Sequence, residues 1–183
     1  MGLDQKITRV ANTDLEKFYA LNRGEIVAPH NPDLDQDYID ETRRHYLELQ
    51  ALYTDAAKNS NRNANVYRER MEELFAPYSE SSIWYGRKDN HVHEWIISTH
   101  DFEETNLEYV LIDPEALLND LKTVIDDPDK AHEVLPTRPG FFFGDTEYDG
   151  YYFQEVKVLH EVLVGERDKG YFENHSYFYW SWW

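Results

Sequence analysis

The sequence predicts an α+β fold, namely a helix-dominated single domain with a small sheet and an N-terminal helical hairpin. Apolar residues recur at helical spacing in several segments, while the period-two alternation typical of strands is confined to short ones. The aromatic fraction of 15% separates the chain from disordered acidic proteins, which are poor in aromatic residues. At 183 residues without cysteine, it can bury a core that needs neither disulfides nor thiolate-bound zinc.

The chain opens with a predicted strand and a short helix. Residues 3–10 alternate in the manner of a strand. A helix follows from a cap at Thr13 or Asp14 and is expected to stop at Gly24. Two prolines then make residues 26–33 a predicted loop.

Residues 34–76 are predicted to form the helical hairpin. The first arm runs from about residue 35 to 57, and the second covers residues 64–75. The polar segment 59–63 separates the arms, and Pro77 ends the second because proline cannot continue a helix. A hairpin of this kind is more often scaffold than site.

The segment after the hairpin is predicted to be a helix with caps among Ser79–Ser82. On such a helix four side chains at intervals of four, three and four residues would share one face, namely Trp84, Lys88, His91 and Trp95. His93 would then point away. In the alternative strand, His91 and His93 would share a face as a possible metal pair.

The remaining elements are a strand at residues 107–112 and two helices. The first helix begins with Asp113 as its cap and Pro114 at its first position. The second runs from about residue 149 to 164, with Gly165 as its stop. These assignments place a single globular domain at residues 1–165.

Residues 166–183 form an aromatic C-terminal tail. Left in water, so many Tyr and Trp side chains would promote aggregation. We expect the tail to dock on its own domain or on a second copy, which makes a homo-oligomer the expected state.

The net charge limits the choice of partners. Lys and Arg number 18 against 36 Asp and Glu, which gives a formal charge of −18. Because nucleic acids and anionic membranes bind chiefly through Lys and Arg, neither is an expected direct partner. An acidic surface would suit a basic host protein, although solubility alone also explains it. With no signal-peptide pattern and no apolar run near the roughly 20 residues that span a bilayer, we expect a cytoplasmic protein.

Two aromatic-rich segments form the candidate site, because they carry cationic and hydrogen-bonding groups against an acidic background. The segments are residues 84–95 and 136–149. Planar anionic ligands are bound by such combinations of rings and cations. The expected ligand-binding residues are Trp84, Arg87, Lys88, Asn90, His91, Trp95, Thr137, Phe142, Phe143, Thr146, Tyr148 and Tyr151. For any single aromatic residue, a place in the core is the competing interpretation.

The glycines and caps of the second segment support this hypothesis. Gly140 and Gly144 allow sharp turns on either side of three phenylalanines, and Thr146 and Asp149 are natural caps for the last helix. The N–H groups at that helix start could then bind a phosphate or carboxylate.

The two segments also carry a resemblance. The pattern WYxRKxNxVHxW at residues 84–95, followed by LPTxxGFFFGxTxYDxYY at 135–152, resembles a family of small uncharacterised proteins encoded by bacteriophages and bacterial mobile elements. The resemblance covers residues 80–165. It implies an intracellular, phage-derived protein and supplies no reaction.

These observations lead to three hypotheses about the function of the protein. The first is a phage accessory protein with an anti-defence role that sequesters a small anionic, nucleotide-like ligand. The second is an acidic inhibitor of a host protein, for example a nucleic-acid mimic. The third is a hydrolase or transferase with His91 or His93 as general base. The sequence lacks HExxH, GxSxG and P-loop motifs, so we expect no metal, no cofactor and a binding role more than an enzymatic one.

Overall fold

The computed structural model describes residues 2–22, 26–27, 34–59, 63–75 and 80–183. A sheet lies at the centre of the fold, and its strands are β1 (Asp4–Ala11), β2 (Ile26–Val27), β3 (Glu80–Arg87), β4 (Tyr109–Ile112) and β5 (His175–Trp182). Their spatial order is β2-β4-β5-β1-β3. The four strands from β4 to β3 are antiparallel, and β2 adds a short parallel pair at one edge.

Seven α-helices surround this sheet in the part of the chain just given. They are α1 (Leu15–Asn22), α2 (Gln36–Lys58), α3 (Ala64–Phe75), α4 (Asn90–His100), α5 (Pro114–Asp126), α6 (Ala131–Val134) and α7 (Gly150–Asp168). The predicted α+β, helix-dominated fold with its N-terminal hairpin, here α2 and α3, is therefore confirmed. Aspartate caps begin three of the helices, where Asp35, Asp113 and Asp149 accept hydrogen bonds from first-turn amides.

The sheet buries apolar side chains on both faces. The main core contains Ile7, Tyr177 and Tyr179 from the strands and is covered by residues of α4, α5 and α7. On the opposite face, Phe178 packs against Phe18 of α1. Successive residues of β5 thus enter opposite cores, as strand geometry requires.

The boundary predicted at residue 165 is wrong. Residues 175–182, expected in a tail that docks on its own domain or on a second copy, form strand β5 between β1 and β4 of the same domain. Tyr177, Phe178 and Tyr179 of this strand are buried within the chain itself, whereas Trp182 is 47% exposed. Nor does Gly165 stop the last helix, because α7 continues to Asp168. Gly170, with a φ of +73°, follows it.

The helix predicted to contain Trp84 is also wrong in its first half. Residues 80–87 pair with β1 as a strand, with Trp84 opposite Ile7, and helix α4 begins only at Asn90. Helical spacing occurs there by chance, since the strand is selected by pairing with residues about eighty positions away. Trp84 and Lys88 therefore share no helix face with His91.

The short strand β2 lies inside the segment predicted as a loop at residues 26–33. The rest of that loop, the stop at Gly24 and the proline at position 77 lie outside the described residues. Among the helices of the described ranges, none combines the length and apolar character needed to cross a membrane.

Candidate ligand-binding pocket

A pocket of about 280 Å³ lies where strand β3 ends and helix α4 begins. We call it the Asp89 pocket. Three parts of the chain form it: the β3–α4 corner, the loop before α7, and the first turn of α7. Its lining consists of Arg87, Lys88, Asp89, Asn90, His91, Thr137, Gly144, Asp145, Glu147, Asp149, Tyr151 and Tyr152.

The corner depends on two unusual backbone conformations. Lys88 has a φ of +68°, which turns the chain sharply from strand to helix, and its N–H donates to the Leu3 carbonyl at 2.7 Å. A left-handed conformation costs a side-chain-bearing residue about 1–2 kcal/mol. Gly144, with a φ of +89°, lies against it, and a Cβ there would be 3.1 Å from the Lys88 Cβ. Loop and corner are therefore in close contact.

Asp89 contributes a buried carboxyl group to the pocket. Its exposed fraction is 2%. Burial, and next the charge of Glu155, raises its pKa from 3.8 to about 7, while the Arg87 backbone and the Tyr151 hydroxyl act weakly in the opposite direction. Neither oxygen has a hydrogen-bond partner of normal geometry among the described residues. Asp89 also makes no side-chain bond to the first turn of α4 that it precedes.

His91 is the second buried polar group. It is 3% exposed, and its ring packs on that of Tyr152 with 4.8 Å between centroids. Burial lowers its pKa from 6.5 to about 3, so the imidazole is neutral at physiological pH. Its Nε2 atom has no hydrogen-bond partner in the described part of the chain. Two neighbouring side chains that line the pocket therefore carry unsatisfied hydrogen-bonding atoms, which is rare in folded proteins.

Asn90, which lies between Asp89 and His91 in the sequence, organises the pocket. Its Nδ2 donates to the carbonyls of Phe143 (3.0 Å) and Asp145 (2.7 Å). Its Oδ1 accepts from the Arg138 N–H at 3.2 Å. These three bonds hold the loop of residues 137–145 onto the start of α4. The predicted ligand-binding role of Asn90 is thus replaced by a structural one, because its polar atoms already have partners.

The charged groups of the pocket lie at its rim. Arg87, Lys88 and Tyr151 are exposed, and burial and the Asp89 charge raise the pKa of Tyr151 to about 12. Within the lining, four carboxyl groups accompany the two cations. One of the carboxylates, Asp149, caps α7 by accepting from the amides of Tyr151 and Tyr152. The expected anion site at the start of α7 is therefore wrong, because these amides already have an acceptor.

A second, apolar depression of about 620 Å³ lies on the other side of the same loop. We call it the Phe141 groove. Its lining comprises Glu94, Glu104, Thr137, Arg138, Pro139, Gly140, Phe141, Phe142, Phe143 and Trp183. Arg138 pairs at its base with Glu94 at 2.6 Å and with Glu104 at 3.3 Å. The Phe141 side chain is 96% exposed.

The structure brings half of the predicted site residues together. Arg87, Lys88, Asn90, His91, Thr137 and Tyr151 line the Asp89 pocket. The others lie elsewhere: Trp84 and Trp95 are in the core, Phe142 and Phe143 line the Phe141 groove, and Thr146 and Tyr148 bond to Thr137. The core interpretation was thus correct for both tryptophans, and the Trp95 indole donates to Asp120 at 2.8 Å.

His93 does not point away from the protein, as a helix through residue 84 would have required. Its side chain is buried. Nδ1 contacts the Tyr179 hydroxyl at 2.8 Å, and Nε2 contacts Glu104 at 2.6 Å. Burial lowers its pKa, although Glu104 opposes that shift. Both ring nitrogens of His93 therefore have partners within the protein.

Sequence reasoning missed Asp89, the group on which the pocket's chemistry centres. Nothing distinguishes it from the other acidic residues of the sequence, and a helix through residues 84–95 would have exposed it. The carboxylates of the loop were missed for the same reason. Tyr152 belongs to the apolar stripe of the last helix and lies in the core, but it also lines the pocket. Gly144 was predicted as a turn, and its positive φ confirms that prediction.

The fold and pocket define an α+β protein with an unsatisfied polar cavity beside a strand-to-helix corner. Within the described ranges, no group of three or more His, Cys, Asp or Glu residues could hold a metal ion. Comparison with protein-family models, curated proteins and solved structures found no match. The resemblance to phage-encoded proteins therefore stays a prediction.

Proposed function

We propose that this chain is a binding protein that takes a small nucleotide-like ligand in the Asp89 pocket. One observation carries the proposal: Asp89 and His91 both line one cavity, and both buried side chains carry polar atoms without partners. An unsatisfied buried polar group costs about 1–3 kcal/mol, which a ligand that supplies the missing hydrogen bonds would recover.

The distribution of charge favours a ligand with a neutral ring and an anionic group. His91 is neutral inside the pocket, whereas Arg87 and Lys88 lie at the rim. A phosphate would therefore bind at the rim, with the ring in the cavity near His91 and Tyr152. A volume of about 280 Å³ is at the small end for ligand pockets and suits one heterocycle.

The biological role in this proposal rests on the resemblance to phage-encoded proteins. A cytoplasmic phage protein that holds a nucleotide-like compound without converting it would act by sequestration, which suits an anti-defence function. The abundance of carboxylates at the rim limits the number of phosphates the ligand can carry.

The test is thermal unfolding of the purified chain with mono-, di- and cyclic nucleotides, since a ligand that binds only the folded state raises Tm. Arg87→Ala should weaken binding by about 1.5–3 kcal/mol, the range for a hydrogen bond to a charged group. Arg167→Ala is the matched control, because Arg167 lies on α7 outside the pocket lining and pairs with Asp168. If no nucleotide raises Tm, the proposal is wrong.

A second candidate is an acidic inhibitor of a host protein, and the exposed Phe141 side chain favours it. A large apolar side chain that is 96% exposed beside an aromatic groove resembles the anchor residues of interfaces. The charge of −18 would attract a basic surface. Capture of a purified basic host protein that Phe141→Ser abolishes, with no effect of any nucleotide, would select this candidate.

A further inference from the structure

The position of the Asp89 carboxyl group restricts what can bind beside it. Its surroundings include the end of β3, where a Cβ at Gly86 would overlap both the Trp84 ring and the Asp89 Oδ2 atom. The space for this carboxyl group therefore exists because residue 86 is glycine. A ligand in the pocket meets the carboxyl group where water is largely excluded and where its ionised form is poorly solvated.

We propose that Asp89 binds the ligand as a neutral carboxylic acid, donating one hydrogen bond and accepting another from adjacent atoms of a heterocycle edge. The inference rests on the proposed function and specifies the class of ligand. The edge must present an acceptor beside a donor, as adenine, cytosine, uracil and hypoxanthine do, and as guanine does through O6 and N1–H. An ionised carboxylate would instead require the two adjacent donors of guanine.

The groups facing Asp89 favour the neutral form on balance. They come from all the elements around it: Arg87 of β3, His91 of α4, Asp145 of the loop, Tyr151 and Glu155 of α7, and Tyr179 of β5. The exposed Arg87 side chain lies 4.0 Å from Asp4, so its charge is partly balanced there. Glu155 adds a negative charge, and burial acts in the same direction, so that the pKa of Asp89 is about 7 in the free protein.

Binding that requires the protonated form has a definite pH dependence. The fraction of free protein that is competent falls tenfold for each pH unit above the pKa of Asp89. With a pKa of about 7, affinity should be nearly constant from pH 5 to 6.5 and about thirty-fold weaker at pH 8.5. His91, with its pKa lowered to about 3, does not titrate in this range.

The experiment is calorimetric titration of the full chain with nucleosides between pH 5.5 and 8.5. Adenosine, cytidine, uridine, inosine and guanosine are the probes, because they carry no phosphate that titrates there. We expect binding of the first four to weaken above pH 7 in the wild type. Asp89→Asn, whose amide also donates and accepts, should bind at every pH with less than threefold variation, whereas Asp89→Ala should lose at least tenfold in affinity.

Two further variants keep the proposal falsifiable if substitutions at position 89 disturb folding. Glu155→Gln removes a charge that raises the Asp89 pKa, so the pH midpoint of binding should move downward. Asp127→Asn, at an exposed position after α5, should leave that midpoint unchanged. An unmoved midpoint in Glu155→Gln overturns the proposal.

The remaining outcomes distinguish this inference from the proposed function. If nucleosides bind, but affinity rises with pH or guanosine alone is bound tightly, the pocket binds nucleotides and the protonated form of Asp89 is not the binding form. If nucleotides stabilise the protein through Arg87 while Asp89→Ala retains full affinity, Asp89 has no part in recognition. If neither nucleosides nor nucleotides bind, the proposed function fails and this inference fails with it.

Discussion

Replacing Asp89 with Asn should make the protein more stable at neutral pH. In the folded chain the pKa of Asp89 is raised from 3.8 to about 7. Between these values the unfolded chain has lost its proton while the folded chain keeps it, so the free energy of unfolding falls as pH rises. One pKa unit corresponds to about 1.4 kcal/mol, which gives a total of about 4 kcal/mol. Asn carries no proton to lose, so the variant avoids this loss.

The pH dependence of wild-type stability alone would conceal the contribution of Asp89. The pKa of His91 is lowered from 6.5 to about 3, so its contribution to stability is complete above pH 6.5 and is lost as pH falls. Between pH 4 and 6.5 the slopes from His91 and Asp89 have opposite signs and similar size. The quantity to measure is therefore the difference between the variant and the wild type, in which His91 cancels.

The assay is urea denaturation of both proteins from pH 4 to 8. The difference in the free energy of unfolding between Asp89→Asn and the wild type should be small at pH 4. It should grow by more than 1 kcal/mol per pH unit at its steepest and level off above pH 7 at about 4 kcal/mol. Glu147→Gln, at an exposed position of the loop before α7, measures the effect of removing a surface carboxyl group. A difference for Asp89→Asn that is constant across the range would refute the reasoning.

Four other changes test the fold. Gly144→Ala should destabilise the protein by about 1–2 kcal/mol, because residue 144 has a φ of +89°. Gly165→Ala, in open space within α7, should stabilise the protein by about 0.5–1 kcal/mol. The two variants should therefore shift Tm in opposite directions in thermal unfolding. Asn90→Ala should cost about 2–4 kcal/mol in urea denaturation and speed proteolysis of the loop of residues 137–145, because three hydrogen bonds are lost. Deleting residues 171–183 removes β5 from between two strands, so the circular dichroism spectrum should become that of an unfolded chain; a native spectrum would contradict the sheet order.

Much of the fold could be predicted because it is encoded locally. The helix caps at Asp35 and Asp113 are single-residue signals, and the stripes of the helices that follow repeat over several turns. Strand β3 could not be predicted in this way. Its residues have an apolar spacing compatible with either a helix or a strand, and its pairing partner is β1, about eighty residues earlier in the chain.

The aromatic segment at residues 175–182 was misassigned for a related reason. A strand buried on both faces has no polar face, so its sequence lacks the alternation that identifies exposed strands. Tyr177 and Tyr179 enter one core and Phe178 the other. The aromatic composition that suggested an aggregation-prone tail is typical of a central strand.

The position of the candidate pocket was predictable, whereas its chemistry was not. Rings, cations and glycines marked the two segments that meet, because such residues stand out in an acidic chain. Asp89 does not stand out, and its elevated pKa depends on burial and on Glu155 of α7, about sixty-five residues away along the chain. Only the folded structure brings these two carboxyl groups together.

The buried carboxyl group of the pocket has an energetic cost that a ligand would partly recover. A domain of this size is stable by about 5–15 kcal/mol, so a cost of about 4 kcal/mol at one carboxyl group is a substantial fraction. An efficient general base has a pKa near the working pH, a condition that Asp89 meets with its pKa of about 7, whereas a pKa of about 3 leaves His91 a weak proton acceptor. The same shift makes it a reliable neutral hydrogen-bonding group. Two buried neutral groups, one of which donates a hydrogen bond, suit recognition of a ring with an uncharged edge. Occupancy of the pocket by such a ligand would then stabilise the whole domain.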